Sequence, residues 1–387
     1  MADADGLLRT SLHGLHAELG ARLVAFAGYE MPLHYKPGIM AEHLHTRSAA
    51  GLFDVSHMGQ IRIRARSGGV EAAALALERL VPADLLGLRP GRQRYTLLTD
   101  PSGGILDDLM VARLPDSLLL VVNAAGKQAD LAHLRAALDP ECSVEPLFDR
   151  ALLAVQGPQA EAAVAALAPE AAALRFMEVR ALQLGGIDAV MSRSGYTGED
   201  GYEIGVSAAD AEPLARLLLA QPGVAPIGLG ARDSLRLEAG LCLYGTDIDR
   251  ATSPVEAGLD WSIAKIRRAG GERQGGFPGA EIVLHQLAEG TSWRRVGLLA
   301  EGRAPLRAGA PLFADAALEG EPVGRVTSGA FGPSLNAPVA MARVRAEFAE
   351  PGRILAGALR GRAVSARVAP MPFIATGYKR PSGGTPA

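Results

Sequence analysis

The sequence predicts an α+β protein built from two or three domains. Its 387 residues exceed the usual size of a single domain. Helical spacing of apolar residues alternates with short apolar strands through the first 150 residues, and the alternation starts again at residue 151. Between residues 292 and 373 the pattern changes to short strands separated by turn residues, which is typical of a small β-barrel.

The composition is that of an ordinary folded protein and argues against several classes of function. Apolar residues make up 48% of the chain and charged residues 21%, which argues against disorder. The net charge of −3 argues against nucleic acid as the main partner, and no run of about 18 apolar residues predicts a membrane helix. Only two cysteines, Cys142 and Cys242, occur. Neither a disulfide framework nor a cysteine-based zinc site is therefore expected.

The N-terminal residues and the cysteines bear on localisation. Residues 1–5 are acidic, so they lack the basic character of a signal peptide and the Arg-rich character of a transit peptide. The two cysteines are expected to be reduced thiols. Together these features favour the cytoplasm of a bacterium.

Two adjacent carboxylates interrupt an apolar strand that follows a Gly-rich turn. The strand begins after Gly103 and Gly104, contains Asp107 and Asp108, and continues to Val111. Successive side chains of a strand point to opposite faces, so one acid is expected to face a core or a cavity, where an unpaired carboxylate is costly. The pattern does not say which acid that is. The alternative is a turn whose Asp side chains bind backbone amides.

Two polar residues flank this strand on neighbouring β segments. Tyr95 lies in the predicted strand 93–99, and Asn123 ends the apolar strand 118–122. Tyr95, Asn123 and one of the two acids would together suit the floor of a pocket.

A second motif, between residues 193 and 206, combines glycines, acids and two tyrosines. Gly198–Gly201 is predicted to be a hairpin turn, which would place Tyr196 and Glu203 on adjacent antiparallel strands. The segment matches neither the dinucleotide-binding nor the Walker pattern, so a phosphate cradle is not expected. A buried Glu beside a Tyr suits a neutral, nitrogen-rich ligand.

A third motif, residues 228–240, is predicted to be a charged helix. Arg232 and Arg236 are four residues apart and would share a helix face. Taken alone, the stretch favours an exposed face stabilised by ion pairs.

Three histidines in the first segment raise the question of a metal site. His43 and His45 are two residues apart, so they do not share a helix face. Helical metal-ligand pairs are usually three or four residues apart. We therefore expect hydrogen-bonding roles for His43, His45 and His57, and no metal.

Five motifs together resemble the T proteins of the glycine cleavage system, a family of tetrahydrofolate-dependent aminomethyltransferases. They occur in that family's order and cover the chain from about residue 8 to about residue 379. The motifs are Phe53-Asp-Val-Ser-His-Met58, Gly103-Gly-Ile-Leu-Asp-Asp108, Gly195-Tyr-Thr-Gly-Glu-Asp-Gly201, Ala231-Arg-Asp-Ser-Leu-Arg-Leu-Glu-Ala-Gly240 and Met371-Pro-Phe373.

The resemblance implies three domains around a central folate channel. Two related α+β units, taken here as 1–150 and 151–290, would be followed by a small C-terminal β-barrel-like domain, 291–387. The implied reaction takes the aminomethyl group from the lipoyl arm of H protein and releases ammonia. It forms 5,10-methylenetetrahydrofolate from tetrahydrofolate as co-substrate. The partners would be H protein and the other glycine cleavage components.

The resemblance also assigns roles to residues. Asp108 would be the key acid, with Asp107 as the alternative. Glu203 would accept the paired N–H groups of the pterin in a bidentate arrangement, with Tyr196 packed beside the ring. Arg232 would hold either the carboxylate tail of the folate or a catalytic acid. Further lining residues would be Tyr95, Asn123, Met58 and Tyr378.

Related functions use the same fold. Folate-dependent demethylases act on methylated amines or sulfonium compounds, and some folate-binding relatives have no transferase activity. The signature of the non-enzymatic relatives is absent here, and the motifs from which demethylases usually depart are intact. The demethylase reaction is kept as the alternative.

Overall fold

The computed structural model describes residues 6–380 and confirms an α+β protein with a C-terminal barrel. The acidic residues 1–5 lie outside the described residues, as do residues 381–387. No helix in the described part is both long and apolar enough to span a membrane.

The first sheet is antiparallel throughout and has five strands. Helices Gly69–Glu78 and Lys127–Leu138 supply apolar residues to a core shared with this sheet. The strands in spatial order are Gln93–Thr99, Ile105–Arg113, Leu118–Val122, Gly59–Ala65 and Cys142–Pro146.

The second sheet has six strands and combines residues from both sides of position 150. Strand Ala50–Asp54 lies between Arg150–Gln156, to which it is antiparallel, and Val224–Ile227, to which it is parallel. Helices Ala160–Ala165 and Ala211–Leu219 contribute to its core. The strands in spatial order are Val179–Leu184, Ile187–Ser192, Gly201–Ser207, Arg150–Gln156, Ala50–Asp54 and Val224–Ile227.

The last segment is a closed barrel of six strands around an apolar core. The barrel expected between residues 292 and 373 is therefore confirmed. Its strands in spatial order are Trp293–Ala300, Ala337–Arg345, Gly324–Gly332, Pro311–Phe313, Ile354–Leu359 and Arg362–Ala369.

The remaining elements of the described residues are four helices, one hairpin and several short turns. The hairpin pairs Arg22–Phe26 with Tyr29–His34. The helices are His13–Glu18, Ile39–Ser48, Leu229–Glu238 and Ala280–Glu289. Short 3₁₀ turns occur at Pro169–Ala173, Asp260–Ser262, Lys265–Arg267 and Ala346–Phe348.

The first helix of the structure is shorter than the spacing of apolar residues in this part of the chain suggests. Leu7–Leu19 has helical periodicity, yet the helix spans only His13–Glu18. The Leu8 amide donates to the Gly28 carbonyl (2.9 Å), and the Glu30 amide donates to the Leu8 carbonyl (2.8 Å). Leu8 therefore pairs with the hairpin, and these long-range bonds outweigh its local helical preference.

A buried ion pair joins helix Leu229–Glu238 to the following loop and to the barrel. Arg236 Nη1 donates to Asp247 Oδ2 at 2.7 Å, and both side chains are almost fully buried. Ser328 Oγ of the barrel also donates to Asp247 Oδ2, at 2.8 Å. Asp247 thus holds three parts of the chain together.

We predict that Asp247→Ala strongly destabilises the protein. The change leaves the buried Arg236 guanidinium without its main partner, which costs about 3–5 kcal/mol of the free energy of unfolding. Chemical unfolding of the purified variant would measure this. Glu212→Ala, which removes an exposed partner of Arg216, is the matched control and should change little. Equal unfolding midpoints for the two variants would contradict the role of Asp247.

Candidate active site

Strand alternation places the two adjacent acids on opposite faces of the first sheet. Asp107 is fully buried and shares its face with Leu109 and Val111, which belong to the helix-covered core. Asp108 is half-buried and shares the other face with Met110. Met110 lines a cavity between the two sheets, so Asp108 is the acid on the cavity face.

One amide side chain contacts both acids. Asn123 Nδ2 donates to Asp107 Oδ1 and to Asp108 Oδ1, each at 2.7 Å. The backbone amide of Asn123 donates to Asp107 Oδ2 at 3.1 Å. Tyr95 Oη donates to Asp108 Oδ2 at 3.0 Å. The predicted grouping of Tyr95, Asn123 and an acid is therefore present, and it involves both acids.

The surroundings of Asp108 favour its protonated form. Burial, reinforced by the neighbouring charge of Asp107, raises the pKa of Asp108 to about 7. The hydrogen bonds from Tyr95 and Asn123 oppose this rise. Burial and the charge of Asp108 also raise the pKa of Tyr95 well above its usual value, so the phenol remains a donor. A carboxyl group that titrates near neutral pH can both accept and return a proton.

The cavity lined by Met110 lies between the two sheets and has a volume of about 30 Å³, room for one or two water molecules. Its walls are largely apolar. The polar lining residues are Gln60, Gln93, Ser192 and Glu203.

Glu203 lies in the wall formed by the second sheet. Ser194 Oγ donates to Glu203 Oε2 at 2.7 Å. Glu203 Oε1 has no such donor within residues 6–380 and remains a free acceptor at the cavity.

The connection that precedes Glu203 differs from the predicted hairpin. The flanking strands are Ile187–Ser192 and Gly201–Ser207, so Tyr196 lies in an eight-residue connection and not on a strand. Arg193, which is 1% exposed, donates from its side chain to Asp200 Oδ1 at 3.0 Å, across this connection, and to the Leu174 carbonyl at 2.9 Å. The prediction of a four-residue turn was therefore wrong.

Arg232 is a buried cation stacked on Tyr196. Its guanidinium carbon lies 4.8 Å from the centre of the Tyr196 ring, and its Nη1 atom is buried without a hydrogen-bond partner. Burial lowers the pKa of Arg232, and the charge of Glu203 opposes the shift. The ion pairs expected for this helix form at Arg236 instead. Arg232 therefore has donor capacity available for a ligand.

The other two predicted lining residues lie in different surroundings. Met58 is half-buried and packs against an apolar cluster that includes Phe53 and Val121, and Val121 lines the cavity. Tyr378 stacks on Phe176 with ring centres 4.2 Å apart. Among the described residues, the ring contacts of Tyr378 are with Phe176 and Arg380, and none is with the acid cluster.

Sequence reasoning missed Trp261 at this site. Its ring is 56% exposed and stacks on Tyr95 with centres 5.2 Å apart. An exposed Trp offers a large flat surface for a ligand ring. The chain contains only two Trp residues, so their scarcity was the available signal.

The expected hydrogen-bonding roles are present for His43 and His45, whereas the Nδ1 atom of His57 is buried without a hydrogen-bond partner among the described residues. His43 lies within hydrogen-bonding distance of Ser234 Oγ (2.7 Å) and Glu238 Oε2 (3.0 Å). His45 Nε2 lies 2.9 Å from the Gly223 carbonyl. No group of three or more His, Cys, Asp or Glu residues within 6–380 is arranged to hold a metal ion.

Comparison with known proteins agrees with the motifs and the geometry. Residues 12–267 match the model of the GCVT N-terminal domain, and residues 294–374 match that of the glycine cleavage T-protein C-terminal barrel domain. The chain belongs to the glycine cleavage T-protein family.

Curated T-protein relatives are similar over nearly the whole chain. The mitochondrial aminomethyltransferase of Dictyostelium discoideum is 41% identical, with 98% of this chain and 95% of that protein covered. The mitochondrial enzyme of Homo sapiens is 43% identical, with 96% and 91% covered. The crystal structure of the glycine cleavage system aminomethyltransferase T from Bartonella henselae superposes with a TM-score of 0.89 at 43% identity, covering 97% of this chain and all of that one.

For this T-protein family member we predict that Asp108→Asn increases stability above pH 7. The pKa of Asp108 lies near 7 in the folded protein and near 3.8 when unperturbed. The unfolded chain therefore ionises first, and stability is lost as the pH rises from about 4 to 7. An uncharged Asn avoids this loss, which is worth about 2–4 kcal/mol above pH 7 and nothing below pH 4.

Unfolding free energies between pH 4 and pH 8 would test this prediction. Asp116→Asn is the control, because the hydrogen bonds from Ser117 and Arg64 lower the pKa of this exposed acid. Its removal should bring no gain at high pH. A stability difference between Asp108→Asn and the parent that does not vary with pH would contradict the raised pKa.

Proposed function

We propose that this aminomethyltransferase of the glycine cleavage system binds tetrahydrofolate beside Asp108, Tyr196, Arg232 and Glu203, whose charges act on one another. The one-carbon unit comes from the aminomethyl group on the lipoyl arm of H protein. The products are ammonia, 5,10-methylenetetrahydrofolate and the dihydrolipoyl arm. The observation that carries the proposal is Asp108, which Tyr95 and Asn123 hold on the face of the first sheet that is turned towards the second sheet and Glu203.

In this proposal Asp108 acts at the reacting carbon. Each of the two folate nitrogens loses a proton as it forms its bond to the carbon. The amine leaves as ammonia and the lipoyl sulfur leaves as a thiol, and each takes up one of these protons. A carboxyl group that titrates near pH 7 suits both transfers. Its ionised form also stabilises the positive charge that develops on the carbon as ammonia leaves. Tyr95 and Asn123 fix the orientation of its two oxygens.

Glu203 and Arg232, whose charges act on each other, would position the folate beside Asp108. The free Oε1 atom of Glu203 and its partner Oε2 would accept the ring N–H and the exocyclic amine of the pterin. Arg232 would donate its unpaired Nη1 N–H to a carboxylate of the folate tail. Tyr196 would pack beside the ring system, while Trp261, Met58 and Tyr378 would provide further apolar surface.

Other parts of the proposal concern organisation and location. The chain would be organised as domains 1–150, 151–290 and 291–387 around the folate channel. It would work with the other glycine cleavage components, without a metal, in a bacterial cytoplasm. The two curated relatives described above are named as mitochondrial, so fractionation of the source cells would test the location.

We predict that Asp108→Asn lowers the rate of methylenetetrahydrofolate formation by about 10²- to 10⁴-fold, because the proton carrier and its charge are both lost. The assay mixes the protein with tetrahydrofolate and aminomethyl-loaded H protein, and follows ammonia and methylenetetrahydrofolate together. Folate binding should persist. Near-normal turnover in this variant would exclude Asp108 and direct attention to Asp107.

We predict that Glu203→Gln weakens tetrahydrofolate binding by about 10- to 100-fold, since one charged acceptor is replaced by an N–H donor. Titration calorimetry or fluorescence quenching would measure the dissociation constant. Glu178→Gln is the matched control, because this carboxylate pairs with Arg92 outside the cavity lining. Equal affinity in both variants would mean that the pterin binds elsewhere.

The assay with tetrahydrofolate and aminomethyl-loaded H protein also distinguishes the transferase from the alternative, a folate-dependent demethylase. Folate binding without turnover of aminomethyl-loaded H protein would favour it, and methylated amines or sulfonium compounds would then be tested as donors. Equal yields of ammonia and methylenetetrahydrofolate would exclude it.

A further inference from the structure

A third buried acid, Asp130, lies behind the pair of acids in the first sheet. It belongs to the first turn of helix Lys127–Leu138 and is 4% exposed. Asp130 Oδ2 lies 3.2 Å, and Asp107 Oδ2 3.5 Å, from the point where a Cβ on Gly126 would be. The two carboxyl groups therefore approach each other over Gly126, where an added Cβ would fit tightly.

Two buried carboxyl groups in such proximity cannot both be ionised, so they share a proton. Asp107 is the charged member, because the backbone and side-chain N–H groups of Asn123 donate to both of its oxygens. Asp130 Oδ2 is buried and has no donor within reach. As an ionised oxygen it would be left unsatisfied, whereas as an O–H group it can donate to Asp107.

The charge distribution agrees with this assignment. Burial, followed by the charge of Asp107, raises the pKa of Asp130 to about 9. The hydrogen bond from Asp130 in turn favours ionised Asp107, although burial raises the pKa of Asp107. Asp130 therefore remains protonated at neutral pH even though the N-terminus of its helix favours negative charge.

The proton of Asp130 affects Asp108 through two other side chains, those of Asp107 and Asn123. Ionised Asp107 accepts from Asn123 Nδ2, and the same nitrogen donates to Asp108 Oδ1. The Asp107 charge also opposes ionisation of Asp108. If Asp107 lost the donor that keeps it ionised, it would take up a proton itself, and Asp108 would ionise more readily.

We propose that Asp130 is a positioning residue of the transferase: it keeps its proton and donates a hydrogen bond to Asp107, so that Asp107 remains the charged neighbour of Asp108. This role deepens the proposed function and rests on the part assigned to Asp108. Asp130 itself touches no reacting atom.

Other titratable groups near the cluster keep a constant charge around neutral pH. Tyr95, Tyr196 and Cys242 face Asp108, and burial raises the pKa of each of them, for Cys242 to about 12. Tyr244 faces Asp107 and Asp130, and burial raises its pKa as well. The cation Arg250 lies beside Tyr244 and also beside His133, whose pKa is lowered by burial and then by Arg250. A titration near pH 7 therefore reports on the three acids.

The test compares two substitutions of Asp130. Asp130→Asn retains an N–H donor toward Asp107 and should leave most of the activity and the pH profile of kcat/KM unchanged. Asp130→Ala removes the donor and should move the acidic limb of that profile down by about one pH unit. Asp139→Ala changes an exposed acid just after the end of the same helix, and it should leave the profile as in the parent.

A stability measurement separates this inference from the proposed function. Replacing Asp108 by Asn in each background, and following the change in unfolding free energy with pH, gives the pKa of Asp108 without any substrate. The midpoint of this titration of Asp108 should be near pH 7 in the parent and in Asp130→Asn, and at a lower pH in Asp130→Ala. Equal midpoints in all three backgrounds, or a shift in Asp130→Asn, would overturn the role of Asp130.

Two further outcomes are informative. If Asp130→Ala does not fold, Asp107→Asn tests the same charge and must lower the midpoint of Asp108, and an unchanged midpoint would overturn the proposal. A parent enzyme without transferase activity but with the expected midpoints would refute the proposed function while supporting this hydrogen-bonded arrangement.

Discussion

The burial of adjacent carboxylates in one strand is the constraint on which the site depends. Asp107 and Asp108 must point to opposite faces, and each needs donors because Asp107 is fully buried and Asp108 is half-buried. Asn123, at the end of the next strand, supplies both acids from one amide nitrogen, at 2.7 Å in each case. A register slip of one residue would exchange the faces of the two acids. The antiparallel pairing of these strands therefore determines which acid faces the second sheet.

Two arginines of one helix lie in different surroundings. Helix Leu229–Glu238 carries Arg232 over the Tyr196 ring and Arg236 into the ion pair with Asp247. The two arginines lie one turn apart, yet among the described residues the ion pairs of this helix form at Arg236. The position of Asp247 thus separates the stabilising role of Arg236 from the role in folate binding that we propose for Arg232.

Sequence patterns predicted the elements better than the contacts between them. The strand bearing Asp107 and Asp108, the helix around Arg236 and the barrel strands all follow from local spacing. The connection containing Tyr196 did not, because it is held by the Arg193 side chain, which donates to Asp200 and to the distant Leu174 carbonyl. Asp130 and Trp261 carried no local signal, since their importance arises from Asp107 and Tyr95, which are 23 and 166 residues away in the chain.

The sequence by itself determined the mixture of helices and strands, the C-terminal barrel and, through its motifs, membership of the T-protein family. These depend on local periodicity and on residue identity, both of which are written in the chain. The tertiary structure decided that Asp108 and not Asp107 lies on the cavity face, and that strand Ala50–Asp54 joins the second sheet. It also decided which buried acid keeps a proton, because desolvation and neighbouring charge exist only once distant segments have packed together.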